Sequence, residues 1–192
     1  MLLWVIRFGL VQTFTFVSHD REFIYKPRGF DTVWDMNEAI VENWNKVVDK
    51  DDICYVLGDI MLNNNEIGLS LLRRLNGNIH IIAGNHDSYE RIGRYVTETD
   101  NVLSVLWADM IRYKGYHFYL SHFPTMTGNL ENESLKKMMC CLFGHTHQKT
   151  NFYNDIPYLY HVGVDSHNCA PVLLDDIIIE MNNKVKECIS QL

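Results

Sequence analysis

The sequence predicts an α/β fold in which helices cover the faces of a sheet. Two kinds of segment alternate along its first half. Ile53-Cys54-Tyr55-Val56-Leu57 and the run 79–83 are short and apolar nearly throughout, as suits strands buried on both faces. Before and between them lie stretches with apolar residues three and four apart, the period of an amphipathic helix. Each apolar run then stops at a glycine followed by polar residues, which marks a strand end. No repeat, low-complexity tract or Pro/Gly/Ser linker divides the 192 residues, so residues 1–192 are expected to form a single domain with a sizeable core.

Taken in order, Met1-Leu2-Leu3-Trp4-Val5-Ile6 raises a membrane question. Arg7 and Gln12 interrupt the apolar stretch well short of the ~20 residues that a span needs. No basic stretch precedes it and no small-residue cleavage site follows, so it reads as one or two strands of a cytoplasmic chain with no membrane partner. Thr32 and Asp35 resemble a capping box, and Val33, Met36, Ile40, Val41, Trp44, Val47 and Val48 form the apolar stripe of the helix behind it. Asp49-Lys50-Asp51-Asp52 ends that helix. Ile67, Leu71, Leu72 and Leu75 mark a second helix, and Asn76-Gly77-Asn78 a turn before the strand 79–83. Ile111-Arg112-Tyr113 and His117-Phe118-Tyr119-Leu120 flank Lys114-Gly115-Tyr116 as a hairpin, so a second, more antiparallel sheet is expected. Leu142-Phe143 closes another buried strand, and Ile178, Met181, Val185 and Cys188 place a closing helix over 175–188.

A net charge of -7 and a pI near 5.7 argue against a dedicated nucleic-acid-binding surface. They leave open a nucleotide substrate gripped through metal. The five cysteines include no C-x-x-C pair, and Cys54, Cys140 and Cys141 lie in apolar runs. Buried free thiols in a reducing compartment are the expectation, with no structural zinc site.

Chemistry-bearing residues gather where the apolar runs stop. Asp59 follows Gly58; Asn85, His86 and Asp87 follow Gly84; His122 ends a third run; His145 and His147 follow Gly144. Ligands of open α/β sheets bind beyond the carboxyl ends of the strands, and a glycine there permits a sharp turn. Asp59, Asn85, His122, His145 and His147 make a mixed oxygen and nitrogen set that suits Mn²⁺, Fe or Zn²⁺ better than Mg²⁺ or Ca²⁺. An aspartate among imidazoles can bridge two ions about 3.5–4 Å apart, the arrangement that serves phosphoryl transfer. A single Gly-Asp is ordinarily only a turn, and His122 alone reads equally well as a core histidine. Four such endings in one order point to one site. His80, His117, His161 and His167 lack that setting and are expected to be structural or surface residues.

These ordered motifs, Gly58-Asp59, Gly84-Asn85-His86-Asp87, His122 and Gly144-His145-Thr146-His147, resemble those of calcineurin-like metallophosphoesterases, over roughly residues 14 to 176. Met36-Asn37-Glu38 and Val162-Gly163-Val164-Asp165 resemble the small bacterial and phage branch. The resemblance implies two packed mixed β-sheets flanked by helices, an αββα sandwich. It also implies a site for two divalent metal ions that hydrolyses phosphate mono- or diesters with a metal-bound hydroxide as nucleophile. Carried over by position, Asp59 bridges both ions, Asn85, His122 and His145 complete one, and His147 belongs to the other. His86 stands at the leaving group, with Asp87 as its orienting partner.

The resemblance breaks at the first motif. The family opens with Asp-x-His, and the aligned residues here are Phe14-Thr15-Phe16, which cannot ligate a metal. His19 matches a further histidine on the substrate side, and His19 or Asp20 would have to move in for a second ion to be held. One ion is therefore expected at most, with impaired hydrolysis. The alternative is a catalytically inactive relative that binds metal or a phosphorylated ligand, or scaffolds a partner. The codons for Gln12-Thr13 and Phe14-Thr15 can encode Asp or Asn and His or Tyr in a shifted frame, so residues 1 to about 17 are either a frameshift product or a diverged strand. Substrate identity and oligomeric state leave no mark in the sequence.

Overall fold

Two sheets form, and the strands that end at the sequence motifs sit side by side within them. The computed structural model describes residues 21–127 and 134–190, and the backbone of residues 8–12. The five-stranded sheet runs β4-β3-β2-β1-β9, built from β1 (Phe8–Gln12), β2 (Ile53–Val56), β3 (Asn78–Ile82), β4 (Val102–Leu106) and β9 (Val172–Leu173). Its first four strands are parallel, and β9 pairs antiparallel with β1. The four-stranded sheet runs β5-β6-β7-β8, from β5 (Ala108–Tyr113), β6 (Tyr116–Ser121), β7 (Met139–Phe143) and β8 (Leu159–His161). The chain passes from one sheet to the other through Trp107 alone.

Both sheets are mixed, and the second is less antiparallel than its hairpin suggested. Only β5 and β6 pair antiparallel, whereas β6–β7 and β7–β8 are parallel. The hairpin turn is Lys114-Gly115, both at positive φ, the geometry of a tight two-residue loop. Tyr116, expected in the turn, pairs with Tyr113 as the first residue of β6.

Helix α1 (Glu22–Tyr25) precedes α2 (Val33–Val47), whose Thr32 cap accepts from the Asp35 N–H as the sequence pattern predicts. With α3 (Asn65–Leu72) and α4 (Tyr89–Glu98), α2 covers one face of the larger sheet. Met36, Ile40 and Trp44 of α2 pack with Leu69, Leu71 and Leu72 of α3, Tyr95 of α4, and Cys54, Val56, Ile79 and Ile81 of the strands. Ile67, placed in the apolar stripe from sequence, is more than a third exposed, and Leu69 takes the buried position.

The opposite faces of the two sheets meet. Leu57 and Ile82 from the larger sheet share one buried cluster with Phe118, Leu120, Leu142 and Tyr160 from the smaller. Helix α5 (Leu174–Ser190), the expected closing helix, adds Leu174, Ile177 and Met181 to it. Alternate strand residues therefore feed different cores, which accounts for runs that are apolar at every position. Cys54, Cys140, Cys141 and Cys169 are buried free thiols, and Cys188 is half-buried. No helix among the described residues is long and apolar enough to cross a membrane.

Candidate active site

Parallel β2 and β3 deliver Asp59 and Asn85 to one edge of the larger sheet, and parallel β6 and β7 deliver His122 and His145 to the facing edge of the smaller. The strands end sharply. Gly58 lies at φ 87°, and Asp59, His145 and His147 all occupy the left-handed region, at φ 54°, 58° and 48°. Such backbone is rare for residues other than glycine and concentrates at functional sites. Packing also demands glycine at positions 58 and 84. A Cβ on Gly58 would lie 2.5 Å from His122 Nδ1, and one on Gly84 would strike the Asp59 carboxylate and lie 2.8 Å from the His122 ring.

Asp59 and His122 are both buried. Asp59 Oδ2 lies 3.2 Å from His122 Nε2, Asn85 Oδ1 lies 3.0 Å from the same nitrogen, and His145 Nδ1 lies 3.2 Å from it. The other ring nitrogen of His122 faces the Leu57 carbonyl at 2.8 Å, which assigns the proton to Nδ1 and leaves Nε2 with a lone pair. Two oxygen acceptors and a second imidazole thus crowd one acceptor nitrogen. A single proton on Nε2 serves only one of them, whereas a cation satisfies them together. Candidate ligand atoms of Asp59, His122 and His145 lie within 4.8 Å of one another, so the residues present fit one divalent ion.

The electrostatics couple these groups to one another. Burial pushes the Asp59 carboxyl up, but the hydrogen bond and charge of His122 and the His86 N–H outweigh it and hold it below its ordinary value. Burial pushes His122 down, and the Asp59 carboxylate more than reverses this. His145 is lowered by burial and by the neighbouring His122, which favours the neutral imidazole that metals bind.

Asp87 sits elsewhere than expected. Its carboxylate accepts from the N–H groups of Asp59 and Gly84, both at 2.8 Å, from Ile60 N–H at 3.3 Å and from the Tyr95 hydroxyl at 2.6 Å. With its oxygens so occupied and the residue buried, Asp87 organises the strand ends and makes no hydrogen bond to the His86 ring. Asp59 returns the clasp by accepting the His86 N–H at 2.8 Å. The Arg91 guanidinium, 2.7 Å from the His86 carbonyl and 2.8 Å from that of Met61, braces the same turn.

His147 lies outside the three-residue cluster. Its Nδ1 is 3.0 Å from Asp165 Oδ2, and Asp165 is gripped by Arg28 through two hydrogen bonds of 2.7 and 2.9 Å. Burial pushes the Asp165 carboxyl up, but His147 and Arg28 hold it far below the usual carboxylate range. A carboxylate on one ring nitrogen fixes the tautomer and direction of the other, a common arrangement behind metal-binding histidines. The sequence reading attached no role to Arg28 and none to Asp165 beyond its family motif. Phe14, Phe16, His19 and Asp20 lie outside the described residues. His80 bonds Ser104 at 2.8 Å and His161 bonds Ser166 at 3.0 Å, while His117 lies 3.1 Å from Arg112 and His167 bonds the His161 carbonyl.

A family model described as the calcineurin-like phosphoesterase superfamily domain matches residues 35–163, well over half of the chain. The chain belongs to this superfamily. Relatives of this calcineurin-like phosphoesterase include the uncharacterized protein MJ1445 of Methanocaldococcus jannaschii, 32% identical over 180 residues that cover 90% of this chain and 89% of that protein. A solved structure of a protein of unknown function from Aquifex aeolicus, AQ665, shares the fold. It superimposes with a TM-score of 0.66 at 19% identity over 88% of this chain and 97% of the other. Membership supports phosphoester hydrolysis as the general activity, and the paired sheets are those of the superfamily.

Proposed function

We propose that this calcineurin-like phosphoesterase hydrolyses phosphate mono- or diesters at one divalent ion held by Asp59, Asn85, His122 and His145, at a rate reduced by Phe14 and Phe16. The convergence of four candidate ligand atoms on the strand ends carries the reading, because a single proton on His122 Nε2 serves only one of its three close neighbours. When bound, such an ion polarises the phosphoryl group and lowers the pKa of a nearby water. The chain supplies the rest. Asp59 and His122 hold their donors rigidly because each is buried and hydrogen-bonded from behind. His86, exposed beside Asn85, is the group placed to protonate or stabilise the leaving oxygen. His147, held by Asp165 and Arg28, is the residue that the family resemblance would assign to a second ion.

Phe14 and Phe16 favour a second reading, an inactive relative that keeps the ion or a phosphorylated ligand without turnover. One experiment separates the two. Protein loaded with Mn²⁺ is analysed for metal content and assayed with bis-p-nitrophenyl phosphate. About one ion per chain with slow, Asp59-dependent turnover supports the hydrolase. One ion with no turnover supports the binder, and no ion at all overturns the hydrolase and the metal-binding form of the second reading.

A further inference from the structure

The rim of this site is aromatic and exposed. Phe123 follows His122 directly, and its ring stands edge-on to His122 with centroids 5.0 Å apart and to His145 with centroids 4.6 Å apart. Although it touches two of the candidate metal ligands, 48% of it remains exposed. Its backbone is fixed. The Ser121 hydroxyl donates to the Phe123 carbonyl at 2.7 Å, as does that of Thr125 at 3.0 Å, and Pro124 restricts the conformation of the residue before it. A second pair of exposed aromatic rings follows the His86 turn in sequence and β4 in the sheet. Tyr89 begins the helix after the His86 turn, and Trp107 follows β4, where the Leu106 carbonyl accepts the Ala83 N–H at 2.7 Å. Their rings meet edge to face at 6.0 Å, yet Tyr89 is 84% and Trp107 60% exposed.

An exposed aromatic ring packed against two candidate ligands offers a face on which a planar group can stack. We infer that Phe123 is a stacking platform for the base of a nucleotide whose phosphate occupies the Asp59–Asn85–His122–His145 centre. The substrate class is thus a short nucleotide ester. This rests on the hydrolase reading. Phe123 borders His145, so the group it meets stands about one sugar away from a phosphate at the centre. A ring with no polar atoms reads no base edge, so the platform favours bases over other substituents without choosing among them. The net charge of -7 argues against a long basic track for a phosphate backbone, which favours a short ligand.

The test is calorimetric titration of the Mn²⁺-loaded protein with adenosine 5′-monophosphate and with ribose 5-phosphate. Bis-p-nitrophenyl phosphate turnover is measured on the same samples. One base stack predicts a preference for the nucleotide of about tenfold or more. That preference should collapse toward unity in Phe123→Ala and survive in Phe123→Trp. Phe123→Leu serves as the apolar control without a stacking face, and should lose the preference as well. Equal affinities in the wild type, or a preference untouched by Phe123→Ala and Phe123→Leu, overturn the platform. Turnover with no base preference removes the nucleotide assignment and leaves the hydrolase standing. A Phe123-dependent preference without turnover keeps the platform and removes the hydrolase. Failure of both sugar phosphates and of inorganic phosphate to bind overturns the two together.

Discussion

Asp87 Oδ2 accepts the backbone N–H of Asp59 at 2.8 Å, joining two residues that stand at the ends of different strands. Because Asp59 accepts from the next residue back, His86, the ends of β2 and β3 are clasped in both directions. The proposed ligand at position 59 is thereby aimed by a residue that touches no substrate.

Asp87→Ala should therefore act on both stability and metal binding. It leaves buried N–H groups and the Tyr95 hydroxyl without an acceptor, at a cost of about 2–4 kcal/mol. Mn²⁺ affinity should fall about 10- to 100-fold, as when a metal ligand loses its orienting partner. Urea unfolding and Mn²⁺ titration read the two effects separately. Unchanged affinity in a folded Asp87→Ala protein would remove Asp87 from the site's support.

Gly58→Ala should cost about 2–4 kcal/mol, because it combines a positive-φ penalty with overpacking against His122. Gly84→Ala pushes on the Asp59 carboxylate itself. It should abolish Mn²⁺ retention in equilibrium dialysis even where circular dichroism shows a folded chain.

Asp165→Ala strands the Arg28 guanidinium, whose side chain is only 4% exposed. Losing one partner of a buried pair costs about 3–5 kcal/mol. Adding Arg28→Met should recover part of that loss, with a coupling energy above about 1 kcal/mol in a double-mutant cycle. Strict additivity of the two substitutions would show that the pair does not act as one unit.

His161, at the end of β8 and within electrostatic reach of Asp165 and His147, gives the fold a pH dependence. Burial, reinforced by the neighbouring His167, lowers its pKa to about 4. The unfolded chain protonates near the ordinary value of ~6.5 and binds more protons between the two, so stability rises with pH across that window. Moving from pH 8 to pH 5 should remove about 2 kcal/mol, and the slope should fade as pH approaches the folded value. His161→Gln should unfold with a shallower pH dependence in the same scan. Parallel curves would show that His161 does not report this window.

Phe14→Asp combined with Phe16→His should raise the metal content of Mn²⁺-loaded protein above that of the original chain, and turnover with it. Elemental analysis and ester hydrolysis read the two together, and no gain in either would count against placing the lost motif at these positions.

The strand ends were legible because burial on both faces makes a strand continuously apolar until it meets water, where glycine and ligand-type residues take over. Asp59, Asn85, His122 and His145 share that signature, and all four converge. Helix α4 was not legible. Only Tyr95 of its ten residues is buried, so its apolar stripe is thin. Edge strand β4 buries only Val102 and so lacks a continuous apolar signature, and the two-residue β9 lacks the length that periodicity needs. Arg28 and Asp165 stand 137 residues apart, and no local pattern announces a pair held together only by the fold. The role of Asp87 was misread for a related reason. A carboxylate beside a histidine looks like its partner in sequence, while in space its oxygens turn back to the strand ends.

Trp107 is the whole of the covalent bridge between β4 and β5, residues 162–171 lead back from β8 to β9, and the candidate site lies where the strand ends of the two sheets meet. Neither sheet owns a complete ligand set: Asp59 and Asn85 ride on one, His122 and His145 on the other. The capacity to hold an ion is then a gauge of sheet docking. On the proposed ligand set, a chain with one sheet formed would hold half of the donors, and metal capture would date the moment at which the two sheets close on each other.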